Sequence, residues 1–194
     1  DWDVSSKAPT MEIIGARGTT SPGSSGNGDA LGTFVTAGDL NGDGTPDMVI
    51  SAPYNDGSGS GGVPDAGAVY VIFGSKSLPA TWDLSTRAAN YTYWGDKGKS
   101  GSFLGDRLGE FVAVGDVDGD GLNDIVMASP HSDGECTANQ TGSGEVWIIT
   151  NANLPYTNRV SKLFVDHYIC GRDAGDNFGS AMTIADVNND GRTD

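Results

Sequence analysis

Apolar positions along this chain fall in short runs separated by stretches rich in glycine, aspartate and asparagine. The clearest are Met48-Val49-Ile50-Ser51-Ala52, Ala68-Val69-Tyr70-Val71-Ile72-Phe73, Ile125-Val126-Met127-Ala128 and Val146-Trp147-Ile148-Ile149. β-Branched and aromatic residues dominate these runs, and turn formers close them at both ends, which predicts short strands. In the best-marked unit four strands are expected, over 32–38, 48–52 and 67–73 and near 90–95. No stretch has the period of a long amphipathic helix, and none approaches the roughly 18 consecutive apolar residues of a membrane span.

The runs repeat. The first copy reads Leu31-Gly32, then Ala37-Gly38-Asp39-Leu40-Asn41-Gly42-Asp43-Gly44, then Asp47-Met48-Val49-Ile50-Ser51-Ala52-Pro53, then Gly67-Ala68-Val69-Tyr70. The second reads Leu108-Gly109, Val114-Gly115-Asp116-Val117-Asp118-Gly119-Asp120-Gly121, Asp124-Ile125-Val126-Met127-Ala128-Ser129-Pro130 and Gly144-Glu145-Val146-Trp147. A third opens with Phe178-Gly179 and Ala185-Asp186-Val187-Asn188-Asn189-Asp190-Gly191. A four-stranded unit cannot cover both of its faces alone, so such units must stack side by side, as the blades of a β-propeller do.

Each copy carries the same acidic loop. Asp39, Asn41, Asp43 and Asp47 stand at loop positions 1, 3, 5 and 9, with the Thr45 carbonyl at position 7 and Gly44 allowing a sharp turn. Asp116, Asp118, Asp120, the Leu122 carbonyl and Asp124 repeat the set, as do Asp186, Asn188, Asp190, the Arg192 carbonyl and Asp194. Hard oxygen donors at this spacing suit Ca²⁺, so three sites are expected. No Glu stands at position 12, which places the loops between two strands rather than between the helices of an EF-hand. Solvated Asx turns without metal, or Mg²⁺ in place of Ca²⁺, are the alternatives.

These residues resemble the FG-GAP repeats of integrin α-subunits. Phe178-Gly179 matches the first signature, and Ser51-Ala52-Pro53 and Ala128-Ser129-Pro130 stand where the family has Gly-Ala-Pro; Leu replaces Phe before Gly32 and Gly109. The resemblance implies an all-β propeller of four-stranded antiparallel blades, part of a seven-bladed ring. Residues 28–95 and 105–171 are expected as complete blades, 1–15 as the outer strand of a preceding blade, and 175–194 as the start of a third. Trp2-Asp3-Val4-Ser5 echoes Trp82-Asp83-Leu84-Ser85, and Ile14-Gly15 echoes Trp94-Gly95. Two complete and two partial blades do not close a ring, so a longer polypeptide or, alternatively, several chains would supply the rest.

Composition adds constraints. With 30 Gly and 8 Pro among 194 residues, only 8% of them aromatic, the chain suits many short elements joined by tight turns. The formal charge of −15 opposes binding to nucleic acid or an anionic membrane. Cys136 and Cys170 allow one disulfide or two buried thiols; the expected strand order puts both toward one face, which favours pairing. Asn90-Tyr91-Thr92 and Asn139-Gln140-Thr141 fit the glycosylation pattern.

Catalytic signatures are weak. Gly98-Lys99-Ser100 resembles the end of a phosphate loop, but Tyr93 occupies the place of its first Gly. Asp56-Gly57-Ser58-Gly59-Ser60 fits a metal-dependent adhesion pattern that belongs to a different, α/β fold. His131 and His167 are the available imidazoles, and both read as packed or solvent-facing residues.

Strand order sets the acidic loops on one face of the propeller and the loops around 54–66, 131–143, 16–30 and 96–107 on the other. By resemblance this second face would recognise an extracellular protein or glycan, with Tyr54, Asn55, Asp56, His131 and Asp133 as candidate contacts. The reading is therefore a secreted or cell-surface calcium-binding adhesion module, not an enzyme and with no membrane insertion. Similar propellers occur in polysaccharide lyases and in a phospholipase D acting on glycolipid anchors, so part of a degradative enzyme is one alternative. A surface-layer or filament component is another.

Overall fold

The computed structural model of the protein describes residues 11–16, 28–57, 63–96, 105–133, 141–150, 157–159 and 165–194. Among these the chain forms eleven strands and no helix. They are β1 (Glu12–Ile14), β2 (Val35–Gly38), β3 (Asp47–Ala52), β4 (Ala68–Ile72), β5 (Thr81–Asp83), β6 (Tyr91–Trp94), β7 (Phe111–Gly115), β8 (Asp124–Ser129), β9 (Glu145–Ile149), β10 (Thr157–Arg159) and β11 (His167–Cys170). No helix among the described residues is long and apolar enough to cross a membrane.

Two antiparallel four-stranded blades result. In the first the order is β2-β3-β4-β6, with Val49 opposite both Thr36 and Val71, and Val69 opposite Tyr93. In the second it is β7-β8-β9-β11, with Met127 opposite both Val112 and Trp147. The four expected strands of the first unit are present, although β2 begins at Val35 rather than at Gly32. The reason is a turn over Ala30–Thr33: Thr33 donates to the Ala30 carbonyl at 3.2 Å, and Gly32, at φ 89°, donates to the Ser51 carbonyl at 2.8 Å. Gly32 takes this left-handed backbone without the strain that a side chain would add.

The central strands are apolar on both sides because both sides are covered. Val49, Val69, Val71 and Tyr93 of the first blade meet Val112, Ile125, Met127, Trp147 and Ile149 of the second in one buried cluster. Phe34 packs against it and touches Phe111 of the second blade, with ring centroids 4.8 Å apart. The opposite face of the second blade, Val126, Ala128 and Val146, is met by Met182 and Ile184 of the third repeat. The opposite face of the first blade, Ile50 and Ile72, packs with Trp82, Met11 and Ile13. At about 25 cal/mol per Å² of apolar surface removed from water, seams of this kind are the main source of stability.

Two parallel pairings join these units and were not anticipated from the sequence. β5 of the first blade pairs with β1, Trp82 lying opposite Ile13, and β10 pairs with β6, Asn158 lying opposite Tyr93. The segment before β6 thus pairs with β1, and the segment before β11 reaches back to β6 and covers the outer edge of the first blade. Residues 1–10 lie outside the described residues.

Candidate metal centre

The three acidic loops fold alike. The position-1 carboxylate accepts from the backbone N–H groups that follow it: Asp39 from Gly42 and Gly44, both at 2.8 Å, and Asp116 from Gly119 at 2.7 Å and Gly121 at 2.9 Å. Asp186 accepts from Asp190 at 3.1 Å and Gly191 at 2.8 Å. The position-3 side chain accepts from the N–H of position 5, which joins Asn41 to Asp43, Asp118 to Asp120 and Asn188 to Asp190. The position-5 carboxylate accepts from position 7, so Thr45, Leu122 and Arg192 close their loops by donating to Asp43, Asp120 and Asp190. The position-9 carboxylate accepts from position 2: Asp47 from Leu40 at 2.9 Å, Asp124 from Val117 at 2.7 Å and Asp194 from Val187 at 3.1 Å. The turn demands left-handed backbone at positions 4 and 6, taken by Gly42 and Gly44, Gly119 and Gly121, and Asn189 and Gly191.

The loops also differ at position 3. In the second, carboxylate oxygens of Asp116, Asp118 and Asp120 all lie within 4.8 Å of one another. Two oxygens on opposite sides of a Ca²⁺ bound at about 2.4 Å are about that far apart, so the spread fits one calcium ion. In the first and third loops position 3 is an amide, and its Nδ2 donates to the neighbouring carboxylate, from Asn41 to Asp43 at 3.3 Å and from Asn188 to Asp190 at 3.0 Å.

Electrostatics follow from position. Asp43 is fully exposed, and the Thr45 N–H holds its carboxyl below the usual aspartate range. Asp47 is fully buried at the start of β3, and burial pushes its carboxyl up against the opposing N–H bonds from Gly74 and Leu40, with Asp43 and Asp39 adding repulsion. A cation in the loop would remove that repulsion.

Comparison with known proteins agrees with this geometry. The family model described as FG-GAP repeat matches residues 31–72 and 108–149, the two segments that each hold an acidic loop between strands. The chain carries FG-GAP repeats. It is 29% identical over 158 residues to integrin alpha-IIb of Mus musculus, covering 80% of this chain and 14% of that protein. It is 34% identical over 121 residues to integrin alpha-PS5 of Drosophila melanogaster, covering 62% and 10% respectively. It is also 29% identical over 170 residues to phosphatidylinositol-glycan-specific phospholipase D of Mus musculus, covering 84% and 18%. The FG-GAP chain therefore spans less than a fifth of the length of these relatives.

On the opposite face of the FG-GAP units the candidate contact residues separate by burial. Asn55, Asp56 and Asp133 are buried. Asn55 Nδ2 donates to Asp29 Oδ2 at 2.9 Å, while Asp56 and Asp133 accept the N–H groups of Asp65 and Gly142 and so brace the loops between second and third strands. Tyr54 and His131 occupy equivalent places in adjacent blades, and Arg107 joins them. Its guanidinium lies 5.0 Å from the Tyr54 ring centroid and donates from Nη1 to His131 Nε2 at 3.3 Å. Glu110 Oε2 is 3.3 Å from the same imidazole nitrogen, and the His131 ring holds the Glu110 carboxyl below its usual range. His167 lies on β11, exposed. Cys136, residues 58–60, residues 98–100 and Asn139 lie outside the described residues.

Sequence reasoning missed Arg107 and Glu110, and it also missed a buried acid pair. Asp29, Asp106 and Asp176 stand at the same place in a Gly-Asp-x-Leu/Phe-Gly motif that opens each repeat, a signal present in the sequence. The residue after each, Ala30, Arg107 or Asn177, has positive φ. Asp29 receives the Asn55 amide, and Asp176 accepts N–H groups from Arg172 and Asp173. Among the described residues Asp106 Oδ2 accepts only the Asp96 N–H at 3.2 Å, and its Oδ1 is buried without a partner. In the second blade Ser132 stands where the first has Asn55, and its hydroxyl donates to Glu145, which is buried where the first blade has Ala68. Burial first, and then the Glu145 charge, push the Asp106 carboxyl well above the usual range.

Proposed function

We propose that this chain is an extracellular, calcium-binding β-propeller module for adhesion or recognition of a protein or glycan partner. The observation that carries the reading is the cluster of Asp116, Asp118 and Asp120, within reach of one ion in a loop whose hydrogen bonding recurs twice more. In this reading the carboxylates at positions 1, 5 and 9, the position-3 side chain and the carbonyls of Thr45, Leu122 and Arg192 hold Ca²⁺. Bound calcium screens the repulsion within each loop and fixes the turn between first and second strands; its role is structural.

Recognition belongs to the opposite face, where loops joining second to third strands meet at the seam between blades. Tyr54 and His131 are the candidate contacts that reach the surface there, and Asn55, Asp56 and Asp133 hold the loops beneath them. Cys136 is proposed to pair with Cys170. Further blades would cover the open apolar groove of about 460 Å³ lined by Val126, Val146, Phe178 and Met182.

Calorimetric titration with calcium tests the metal assignment, and three equivalents bound in preference to Mg²⁺ are expected. Retention on immobilised glycans or matrix proteins, lost in His131→Ala and Tyr54→Ala, tests the recognition face. The similarity to phosphatidylinositol-glycan-specific phospholipase D supports a second reading, that the propeller serves a degradative enzyme. Cleavage of glycolipid anchors or sugar polymers by the protein, in place of simple retention, would favour it.

A further inference from the structure

The acidic loops touch one another in a regular way. The residue at position 8 of each following loop donates its backbone N–H to the carbonyl of position 1 in the loop before it. Asn123 donates to the Asp39 carbonyl at 3.1 Å, and Thr193 to the Asp116 carbonyl at 2.9 Å. Asn123 Nδ2 reaches the same Asp39 oxygen at 3.4 Å.

Side chains follow the same rule. The position-7 side chain lies on the position-4 glycine of the preceding loop: Leu122 Cδ2 would be 3.2 Å from a Cβ at Gly42, and Arg192 Nε 2.5 Å from one at Gly119. The position-8 side chain lies on the glycine before position 1, with Asn123 Nδ2 3.0 Å from a Cβ at Gly38 and Thr193 Oγ1 3.0 Å from one at Gly115. These glycines are small where the next loop must sit.

Asn123 and Thr193 immediately precede the position-9 carboxylates Asp124 and Asp194, while Asp39 and Asp116 are themselves position-1 carboxylates. Any event that fixes Asp124 therefore fixes the N–H on which the Asp39 peptide rests, and Asp194 bears on Asp116 in the same way. We propose that the three loops bind calcium as a coupled row, in which occupancy of one loop orders the ligands of its neighbours. The proposal rests on the calcium reading above. By linkage the coupling is mutual, so a defect in the middle loop weakens both outer loops. A defect in the third loop acts strongly on the second and less on the first.

The position-6 amides of Gly44, Gly121 and Gly191 each donate to a position-1 carboxylate, so each reports its own loop. Amide NMR of isotope-labelled protein during calcium titration follows all three separately. Asp120→Asn disables the middle loop and is expected to move the midpoints of Gly44 and Gly191 to about fivefold higher calcium or more. A second variant, Leu122→Ala with Asn123→Ala, keeps every carboxylate and removes only the side-chain contacts to the first loop. Its Gly44 midpoint is expected to rise while Gly191 stays near the parent value. Unchanged Gly44 midpoints in both variants would overturn the coupling and leave the calcium reading intact. Absence of any calcium-dependent shift at the three glycines in the parent would overturn both.

Discussion

Asp106 and Asp29 occupy the same motif position in successive repeats, yet the same substitution should act on them with opposite sign. Asp29 Oδ2 takes the Asn55 amide at 2.9 Å. Asp106 has one oxygen on the Asp96 N–H, a second buried without a partner, and the buried Glu145 carboxyl nearby, with Asp96 and Asp133 adding further negative charge. Asp106→Asn keeps an acceptor for Asp96, replaces the unpartnered oxygen with an N–H donor and removes a carboxyl charge that Glu145, Asp96 and Asp133 oppose. A buried polar group left unsatisfied costs about 1–3 kcal/mol, so the variant is expected to gain roughly that much at pH 8. For a chain of this size this corresponds to about 2–4 °C in Tm per kcal/mol.

The sign of the pH dependence follows from the direction of the shift. The folded protein keeps a proton on Asp106 that the unfolded chain releases in the ordinary aspartate range. The favourable protonated form is fully present in acid, and stability falls as pH rises from that range through the elevated folded value. The Asp106→Asn advantage should therefore be small at pH 5 and largest at pH 8. Asp29→Asn sets an amide against the Asn55 amide and should lose about 1–2 kcal/mol at both pH values. Thermal melts of parent and variants in excess calcium measure the differences, which cancels the contribution of the acidic loops. A stability difference between Asp106→Asn and the parent that does not change with pH would refute the reasoning.

Three further predictions can be checked with ordinary stability assays. Asp118→Ala should lose the stabilisation that calcium gives the middle loop, about 1.4 kcal/mol if the site binds at about 10⁻⁴ M in roughly millimolar calcium, and melts with and without chelator read it directly. Trp147→Ala removes a side chain only 2% exposed at the blade seam, whose Nε1 donates to Ser129 Oγ, and should cost about 3–5 kcal/mol in urea unfolding. His131→Ala, at a half-exposed contact with Glu110, should change stability by less than about 1 kcal/mol, so that any lost partner retention reports contact rather than misfolding.

Legibility in the sequence depended on whether a signal was local and repeated. The acidic loops could be read because their geometry is set mostly by residues a few positions apart: the position-1, -3 and -5 side chains accept N–H groups that a tight turn brings to them, and glycine marks where the turn needs positive φ. The strands could be read because both faces of β3, β4, β8 and β9 are buried, which forces unbroken apolar runs. Asn55, Asp56 and Asp133 show the limit, since a polar residue in a loop looks alike in sequence whether it faces solvent or braces the loop from inside.

The sequence by itself determined the repeat, the strand-and-loop unit and the metal-suited spacing, because all of these are written within one unit. Only the tertiary structure decided what happens between units. The parallel pairing of β5 with β1 and of β10 with β6, the meeting of Tyr54, Arg107 and His131, and the loop-to-loop bond from Asn123 to Asp39 all join residues from different units, and the Asp106 and Glu145 pair joins the two ends of one. Distance across a seam is set by how sheets twist and stack, and burial there, more than residue type, determines whether a carboxyl stays charged.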